Sequence, residues 1–416
     1  MKICVIGLGY IGLPTACMFA DHGHQVVGVD KNPAIVEALS QGNILIEEPH
    51  LPELVKKVVA EGHLQARAEA EPADVFIISV PTPITEDKKS DMSYVRSATE
   101  SVVPHLQKGN LVILESTSPV GTVDTLMLPL LERSGLKAGT DFFLGHSPER
   151  VIPGQILTEL LHNNRIAGGL TPQCAEKIAQ LYRCFVEGEI YETDARTAEL
   201  CKLSENTFRD INIAFANELA KICERLDINV WEVIRLCNKH PRVNIHQPGP
   251  GVGGHCIAVD PWFIVEKEPS LANIIHLART TNDSMPSYVA ERIQAILSGI
   301  QHPKVTMLGV TYKPDVDDMR ESPLLVLRQL LVQQGVTVAS YDPFVTGKPG
   351  ITNDLDEAVS GSDLLLLGVH HQQFKQLDFQ ALGKLMRHKN FFDTRNFADR
   401  SCAEDAGFTC HLLGKN

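Results

Sequence analysis

The sequence has no apolar run near the roughly 18 residues that cross a bilayer, no C-x-x-C pair, and no surplus of positive charge. The first lack argues against a membrane span. The second argues against a zinc site: the ten cysteines, at 4, 17, 174, 184, 201, 223, 237, 256, 402 and 410, have no Cys/His ligand spacing around them, a pattern that suits a reducing cytosol. The third is a balance of 38 basic against 51 acidic residues, a net −13 that repels a phosphate backbone, so nucleic acid is not an expected partner. A small anion remains admissible, because local arginines and helix N-termini hold one against the net field. No metal is expected, and the adjacent His370 and His371 read as structural or surface residues.

What is present is ordinary for a globular protein: 44% hydrophobic and 21% charged residues exclude intrinsic disorder. At 416 residues the chain exceeds a single core, which stops growing near about 250–300 residues, so two or three domains are expected. Lys2 and the apolar stretch behind it imitate a signal peptide, yet they carry one positive charge, no A-x-A site and an internal Pro14. The motif described next accounts for them better, and a cytoplasmic location is expected.

Residues 2–6 (KICVI) form an apolar run ending at Gly7, residues 11–22 have helical spacing, and 25–29 (QVVGV) is a second run ending at Asp30. Further strands are predicted at 74–80, 111–115 and 142–145, and helices precede them, so a parallel sheet follows. From Thr193 to about Arg225 no proline or glycine occurs, and Leu200, Leu203, Phe208, Ile211, Phe215, Leu219 and Ile222 recur at helical spacing, which predicts one long helix. A Pro/Gly-rich loop (240–256) follows, then helical sequence over about 260–299. KVTMLG, TVASYD and SDLLLLGV in the last third echo KICVIG, VVGVD and ADVFIISV in the first. The expected fold is α/β, with two doubly wound, Rossmann-like domains joined by a central long helix and helical domain, divided as 1–192, 193–300 and 301–416.

Gly7, Gly9 and Gly12 form G-x-G-x-x-G after a strand and at a helix start, and Asp30 closes the next strand. The glycines admit a tight turn and a close pyrophosphate, and the carboxylate suits a ribose 2′-OH, so NAD is expected over NADP, with Lys31 as the one nearby cation favouring the latter. Thr82 and Thr117 follow two further strand ends and either border the nicotinamide or belong to loops whose prolines merely end strands. Cys256 stands apart from the other cysteines, most of which look like core: Gly249, Gly251, Gly253 and Gly254 precede it and Asp260-Pro261 follows. It is either an activated thiol or a buried structural one. Glu199, Lys202, Asn206 and Arg209 share one face of the long helix, as a solvated stripe or as partners for a phosphate or a reacting oxygen. Glu149, Lys313 and Arg320 lie in loops after strand ends, where ligands bind, although each alone also reads as a surface charge.

Taken together, GLGYIGLP (7–14), ESTSPVGT (115–122), SPER (147–150), CKLSENTFRDINIAFANE (201–218), HPRVNIHQPGPGVGGHCIAVDPWF (240–263) and YKPDVDDMRESP (312–323) resemble the UDP-sugar 6-dehydrogenase family over almost the whole chain. Within it, HPRVN with GPGVGGHCIAVDPWF is similar to the N-acetylhexosamine members, and SPERVIPG with Val259 departs from the glucose type. The resemblance implies a four-electron oxidation of the sugar C6 hydroxyl to a carboxylate with two NAD, through a cysteine thiohemiacetal and thioester. It implies UDP-N-acetyl-D-mannosamine as substrate, with UDP-N-acetyl-D-glucosamine as the alternative, and a role in cell-surface polysaccharide synthesis.

By the same resemblance Cys256 is the nucleophile, Lys202 and Asn206 stabilise the oxyanion, and Asp260, Glu149 and Thr117 handle protons and water. Gly7, Gly9, Tyr10, Ile11, Gly12, Asp30, Thr82, Thr117 and Arg320 meet the cofactor. Glu149, Arg150, Val151, Lys202, Asn206, Gly253 and Lys313 meet the substrate, and Arg242 reaches a neighbouring subunit's sugar site. A homodimer built on the long helix is implied, with UDP held by the C-terminal domain. A two-electron beta-hydroxyacid dehydrogenase and a non-enzymatic NAD-binding scaffold are the rival readings.

Overall fold

Short apolar strands, most of them buried along nearly their whole length, build this molecule. The structure is a computed structural model that describes residues 1–416. It divides into two units, Met1–Glu205 with Trp262–Pro269, and Asn206–Pro261 with Ser270–Asn416.

The first unit holds β1 (Lys2–Ile6), β2 (Gln25–Val29), β3 (Leu64–Arg67), β4 (Val75–Ile78), β5 (Leu111–Leu114), β6 (Phe143–His146), β7 (Arg165–Gly169) and β8 (Ile190–Asp194). Their order in the sheet is β3-β2-β1-β4-β5-β6-β7-β8. The first six follow the 3-2-1-4-5-6 order of a doubly wound dinucleotide fold, with the reversal between β1 and β4. Ile3, Val5 and Ile77 bury against Leu13 and Phe19 on one face, and Cys4, Ile6 and Phe76 against Val95 and Val112 on the other. Burial on both faces is why these strands read as unbroken apolar runs.

The expected parallel sheet fails at one junction. β6 and β7 pair antiparallel, Gly145 with Gly169 and His146 with Gly168. After β6 the chain does not cross back over the sheet; it turns through SPER and a short helix (Ile156–His162) and starts β7 from the carboxyl edge. Glu48 secures that helix by accepting from Gly154 N and Ile156 N.

The second unit holds β9 (Lys304–Leu308), β10 (Thr337–Tyr341), β11 (Leu364–Leu367), β12 (Asn390–Asp393) and β13 (Thr409–Leu412), all parallel, in the order β10-β9-β11-β12-β13. This is the flavodoxin-like order, with its switch between β9 and β11. The sequence echo is structural. Gly309 has φ +86° where Gly7 has +96°, and Asp342 accepts from Val310 N and Phe344 N as Asp30 accepts from Leu8 N and Asn32 N. The difference lies in what covers the acid. Asp342 is fully buried, its Oδ2 lies 3.2 Å from His371 Nε2, and His371 Nδ1 accepts from Asp315 N at 2.8 Å.

The long helix runs Ala195–Arg225, 31 residues, about 46 Å at ~1.5 Å per residue. The helical sequence after the Gly-rich loop forms three helices, Asp260–Lys267, Asn273–Asp283 and Met285–Ile296. On the long helix Leu203 is buried, but Leu200, Phe208, Phe215 and Ile222 are 43, 66, 50 and 44% exposed. No helix is long and apolar enough to cross a membrane.

Candidate active site

In the first unit the glycine turn is built as the spacing requires. Gly7 has φ +96°, a Cβ on it would lie 2.5 Å from Ser79 O, and one on Gly12 would lie 1.8 Å from Gly7 O. Only glycine fits either place. Gly9 is different, since a Cβ there meets nothing within 4 Å; its backbone borders open space that a phosphate can occupy. The helix Gly12–Asp21 has no side-chain cap at Ile11; Leu13 N donates to Gly9 O, Pro14 has no N–H, and the helix starts at Gly12, where an anion can meet its positive end. Asp30 ties the turn down, accepting from Leu8 N at 2.9 Å and Asn32 N at 2.8 Å. Lys31 donates to Ser97 Oγ at 2.7 Å. Tyr10 and Ile11 are half-buried, as are Thr82 and Thr117 beyond the ends of β4 and β5. These residues fit NAD: a cradle that a Cβ would fill, with a carboxylate beside it.

At the carboxyl edge of the same sheet sits a buried charge cluster. Arg165, at the start of β7, donates from Nη1 to Glu149 Oε2 at 2.7 Å, from Nη2 to Glu115 Oε1, and from Nε to Ser147 Oγ at 2.9 Å. Its Cζ lies 3.7 Å from the centre of the Tyr182 ring, and Tyr182 and Ser79 donate their hydroxyls to Glu115. Burial pushes the Glu115 carboxyl up, and Arg165 pulls the other way. Arg150 donates to Glu205 Oε1 at 2.8 Å and to Asn164 O, and Val151 is half-buried beside it in sequence.

The polar stripe expected on the long helix is only partly realised. Glu199 is buried and accepts from Gly121 N at 2.5 Å and Val123 N at 2.9 Å, so it anchors the segment after Thr117. Burial pushes its carboxyl up to about 7. Lys202 is half-buried one turn on, but Arg209 is exposed. The buried polar row continues at Asn206, Asp210 and Asn217, because 3.6 residues per turn carry the row to 206, 210 and 217 and leave 209 beside it.

In the second unit Asn206 donates to Asp260 Oδ2 at 2.5 Å, and both are buried. Cys256 O accepts from Val259 N at 3.0 Å and Asp260 N at 2.8 Å, so the cysteine forms the turn that leads into the helix Asp260–Lys267. Cys256 is exposed, which removes the buried-thiol reading. The expectation that most other cysteines are core is met by four of nine: Cys4, Cys17, Cys174 and Cys223 are buried, Cys201, Cys237 and Cys410 are half-buried, and Cys184 and Cys402 are exposed. The thiols of these last two are pushed up: although Cys184 is exposed as a residue, its sulfur is largely shielded from water, which raises it to about 11, and Cys402 is raised by its bond to Asp399.

The loop before Cys256 is held at several points. Asn217 accepts from Gly249 N at 2.9 Å and donates to Asn282, which donates to Asp210. A Cβ on Gly253 would lie 2.3 Å from Glu321 O, and one on Gly254, with φ +85°, would lie 2.7 Å from the Tyr312 ring. Asp318 accepts from Arg320 Nε and Nη2 and lies 3.3 Å from His255 Nε2. Burial opposes charge on Asp318, yet His255 and Arg320 hold its carboxyl well below the usual range. Lys313 is half-buried in the same loop, and Arg242 is exposed on the turn after the helix Val230–Cys237.

Models of three parts of one family match this chain: the UDP-glucose/GDP-mannose dehydrogenase family NAD binding domain at residues 1–186, its central domain at 196–284 and its UDP binding domain at 306–400. The chain belongs to that family. A UDP-N-acetyl-D-mannosamine dehydrogenase of Methanococcus maripaludis is 48% identical over 99% of this chain and 97% of that protein. An NDP-N-acetyl-D-galactosaminuronic acid dehydrogenase of Ralstonia nicotianae is 47% identical over 91 and 93%. The solved UDP-N-acetyl-mannosamine dehydrogenase from S. aureus superposes with a TM-score of 0.93 at 48% identity, over 100% of this chain and 99% of that one. As a member of the family the chain is an NAD-dependent dehydrogenase.

Sequence reasoning missed Arg165, Tyr182 and His146 and left Glu115 without a role. Arg165 stands alone in HNNRIAGGL, and nothing local marks it, since both carboxylates it joins are distant in sequence. Only the antiparallel register of β7 brings it to the edge.

Proposed function

We propose that this protein oxidises UDP-N-acetyl-D-mannosamine at C6 to UDP-N-acetyl-D-mannosaminuronate, four electrons in all, through a covalent adduct on Cys256. NAD, when bound, supplies the acceptor for each of two hydrides. Lys202 stabilises the alkoxide of the substrate and later the thiohemiacetal oxyanion, with Asn206 donating beside it. The Cys256 thiolate adds to the C6 aldehyde, which holds the half-oxidised sugar on the protein, and the second oxidation leaves a thioester. Asp260, Glu149 and Thr117 handle the proton and the water that release the uronate.

The cofactor meets Gly7, Gly9, Tyr10, Ile11, Gly12, Asp30, Thr82, Thr117 and Arg320. The sugar nucleotide meets Glu149, Arg150, Val151, Lys202, Asn206, Gly253 and Lys313, with its UDP on the C-terminal domain. Domains of 1–192, 193–300 and 301–416 divide this work, the central one for dimerisation. The protein acts in the cytoplasm as a homodimer in which Arg242 reaches the partner's sugar site, and its product serves cell-surface polysaccharide. The exposed apolar residues Phe208, Phe215 and Ile222, seven apart on one helix, support the dimer, since an unpaired apolar stripe favours a partner.

The observation that carries the four-electron reading is the exposed Cys256 at the turn into the helix that begins with Asp260, whose carboxylate is engaged by Asn206. A simple two-electron dehydrogenase has no use for that thiol. The names of the full-length relatives carry the sugar. The test is NADH formed per sugar consumed, over a panel of the manno, gluco and galacto UDP-N-acetylhexosamines and UDP-glucose. Two NADH per sugar with the manno epimer preferred is expected. One NADH per sugar, or a normal uronate yield from Cys256→Ala, overturns the mechanism; a preferred gluco or galacto epimer overturns the substrate.

A further inference from the structure

The Arg165 cluster is costly to build for stability alone. Two carboxylates share one guanidinium, and the side chains of Arg165, Glu115 and Glu149 are 5, 0 and 8% exposed. Taking such charges out of water often outweighs their attraction, and apolar replacements of buried ion pairs are frequently neutral or stabilising. A buried cluster of two carboxyls on one guanidinium at the carboxyl edge of a doubly wound sheet therefore points to function.

Its geometry points to one member. The β6–β7 register pairs His146 with Gly168; three residues back along β7 is Arg165, and three residues beyond the end of β6 is Glu149, which Arg165 meets. Arg165 then has no freedom left, with Nη1 on Glu149, Nη2 on Glu115, Nε on Ser147 and its flat face on Tyr182. Glu115 is braced in turn by Tyr182 and Ser79. On Glu149, Oε2 takes Arg165 and Oε1 accepts from Arg150 N at 2.6 Å, so the carboxylate cannot rotate. The Arg150 guanidinium is committed to Glu205 and Asn164 O and does not substitute.

We propose that Arg165, braced by Glu115 and Tyr182, is the positioning residue that aims Glu149 in the hydrolytic step. The inference rests on the thioester reading above. In that step the water oxygen adds to the acyl carbon as Glu149 takes its proton. The carbon–sulfur bond then breaks, its electron pair returns to Cys256 Sγ, and the new carboxyl gives its remaining proton to solvent as the uronate leaves. Positioning matters here because a displacement of about 1 Å can slow a step by on the order of 10²-fold.

The test uses the full-length protein with NAD and UDP-N-acetyl-D-mannosamine, comparing wild type with Arg165→Lys, Arg165→Gln and Glu115→Gln. Lysine keeps the charge but cannot reach both carboxylates in a fixed fork. Acid-quenched samples taken during turnover are weighed intact for sugar on Cys256, and hydroxylamine is added to parallel reactions to trap the acyl group as a hydroxamate. Arg165→Lys is expected to lower kcat by about tenfold to a hundredfold with KM held within about threefold, and to raise the acylated fraction. The first hydride transfer, read as single-turnover NADH, stays within about threefold of wild type. Glu115→Gln keeps an acceptor for Tyr182 and Arg165 but removes the carboxylate that braces the guanidinium, and it is expected to shift kcat and the acylated fraction in the same direction as Arg165→Lys, by less; a shift in the opposite direction counts against the bracing role.

An acylated fraction no higher than wild type in Arg165→Lys, or an equal slowing of the first hydride transfer, overturns the assignment whether or not Arg165→Gln folds. Hydroxamate absent from wild type and variants alike overturns the thioester reading itself, and this inference with it.

Discussion

His146, the last residue of β6, gives a sharp prediction about acid stability. It is fully buried, and neither ring nitrogen makes a hydrogen bond. Burial pushes its pKa down to about 3 from 6.5; the nearby Leu114 backbone pulls the other way, and Lys202 and Arg165 add smaller depressions. The folded protein therefore holds a neutral ring that the unfolded chain protonates below about pH 6.5. Stability tied to this residue is present above that pH and is lost as pH falls toward 3. At pH 5 the unfolded ring has gained about 1.5 pK units of protonation that the folded one has not, worth about 2 kcal/mol, against a few tenths at pH 7.

His146→Leu removes the proton from the balance at similar volume, and it also removes two buried, unsatisfied nitrogens, so no loss of stability is expected at pH 7. Urea unfolding of both proteins, followed by circular dichroism at pH 7 and pH 5, measures the difference. The variant should gain about 2 kcal/mol on wild type between the two pH values, other groups cancelling in the comparison. Parallel pH dependences, within about 0.5 kcal/mol, would refute the argument that this ring is buried neutral.

Two further outcomes follow from the same geometry. Gly9→Ala meets no protein atom and should leave Tm unchanged while weakening NAD by about tenfold or more, whereas Gly12→Ala drives a methyl into Gly7 O and should lower both; equal Tm losses in calorimetry, or unchanged NAD titrations, contradict this. Phe208→Asp with Phe215→Asp places charges on residues 66 and 50% exposed and should convert a dimer into a monomer in light scattering, without changing the far-ultraviolet spectrum; a dimer that survives rules out that face.

The features that could be read from residue order are the local ones. Gly7, Gly9, Gly12 and Asp30 lie within one strand–helix–strand unit, so their spacing nearly dictates their geometry. The same holds for the echo of that unit at Gly309 and Asp342, although only the structure reveals that His371 covers the second acid. Cys256 stood out through its glycines, but its exposure is set by tertiary packing, in which Gly253 and Gly254 lie against Tyr312 and Glu321. Glu199 and Arg209 were placed on one face by spacing alone; the structure buries the first on Gly121 and Val123 and leaves the second in solvent.

Residue order by itself therefore determined the two doubly wound sheets, the long helix and the dinucleotide turn, because each is specified by periodicity and backbone sterics over a short stretch. Tertiary structure alone decided that β7 runs antiparallel to β6 and that Arg165 joins Glu115 to Glu149, residues 50 and 16 positions away. Such pairings arise when strands distant in sequence dock in register, and no local preference encodes them.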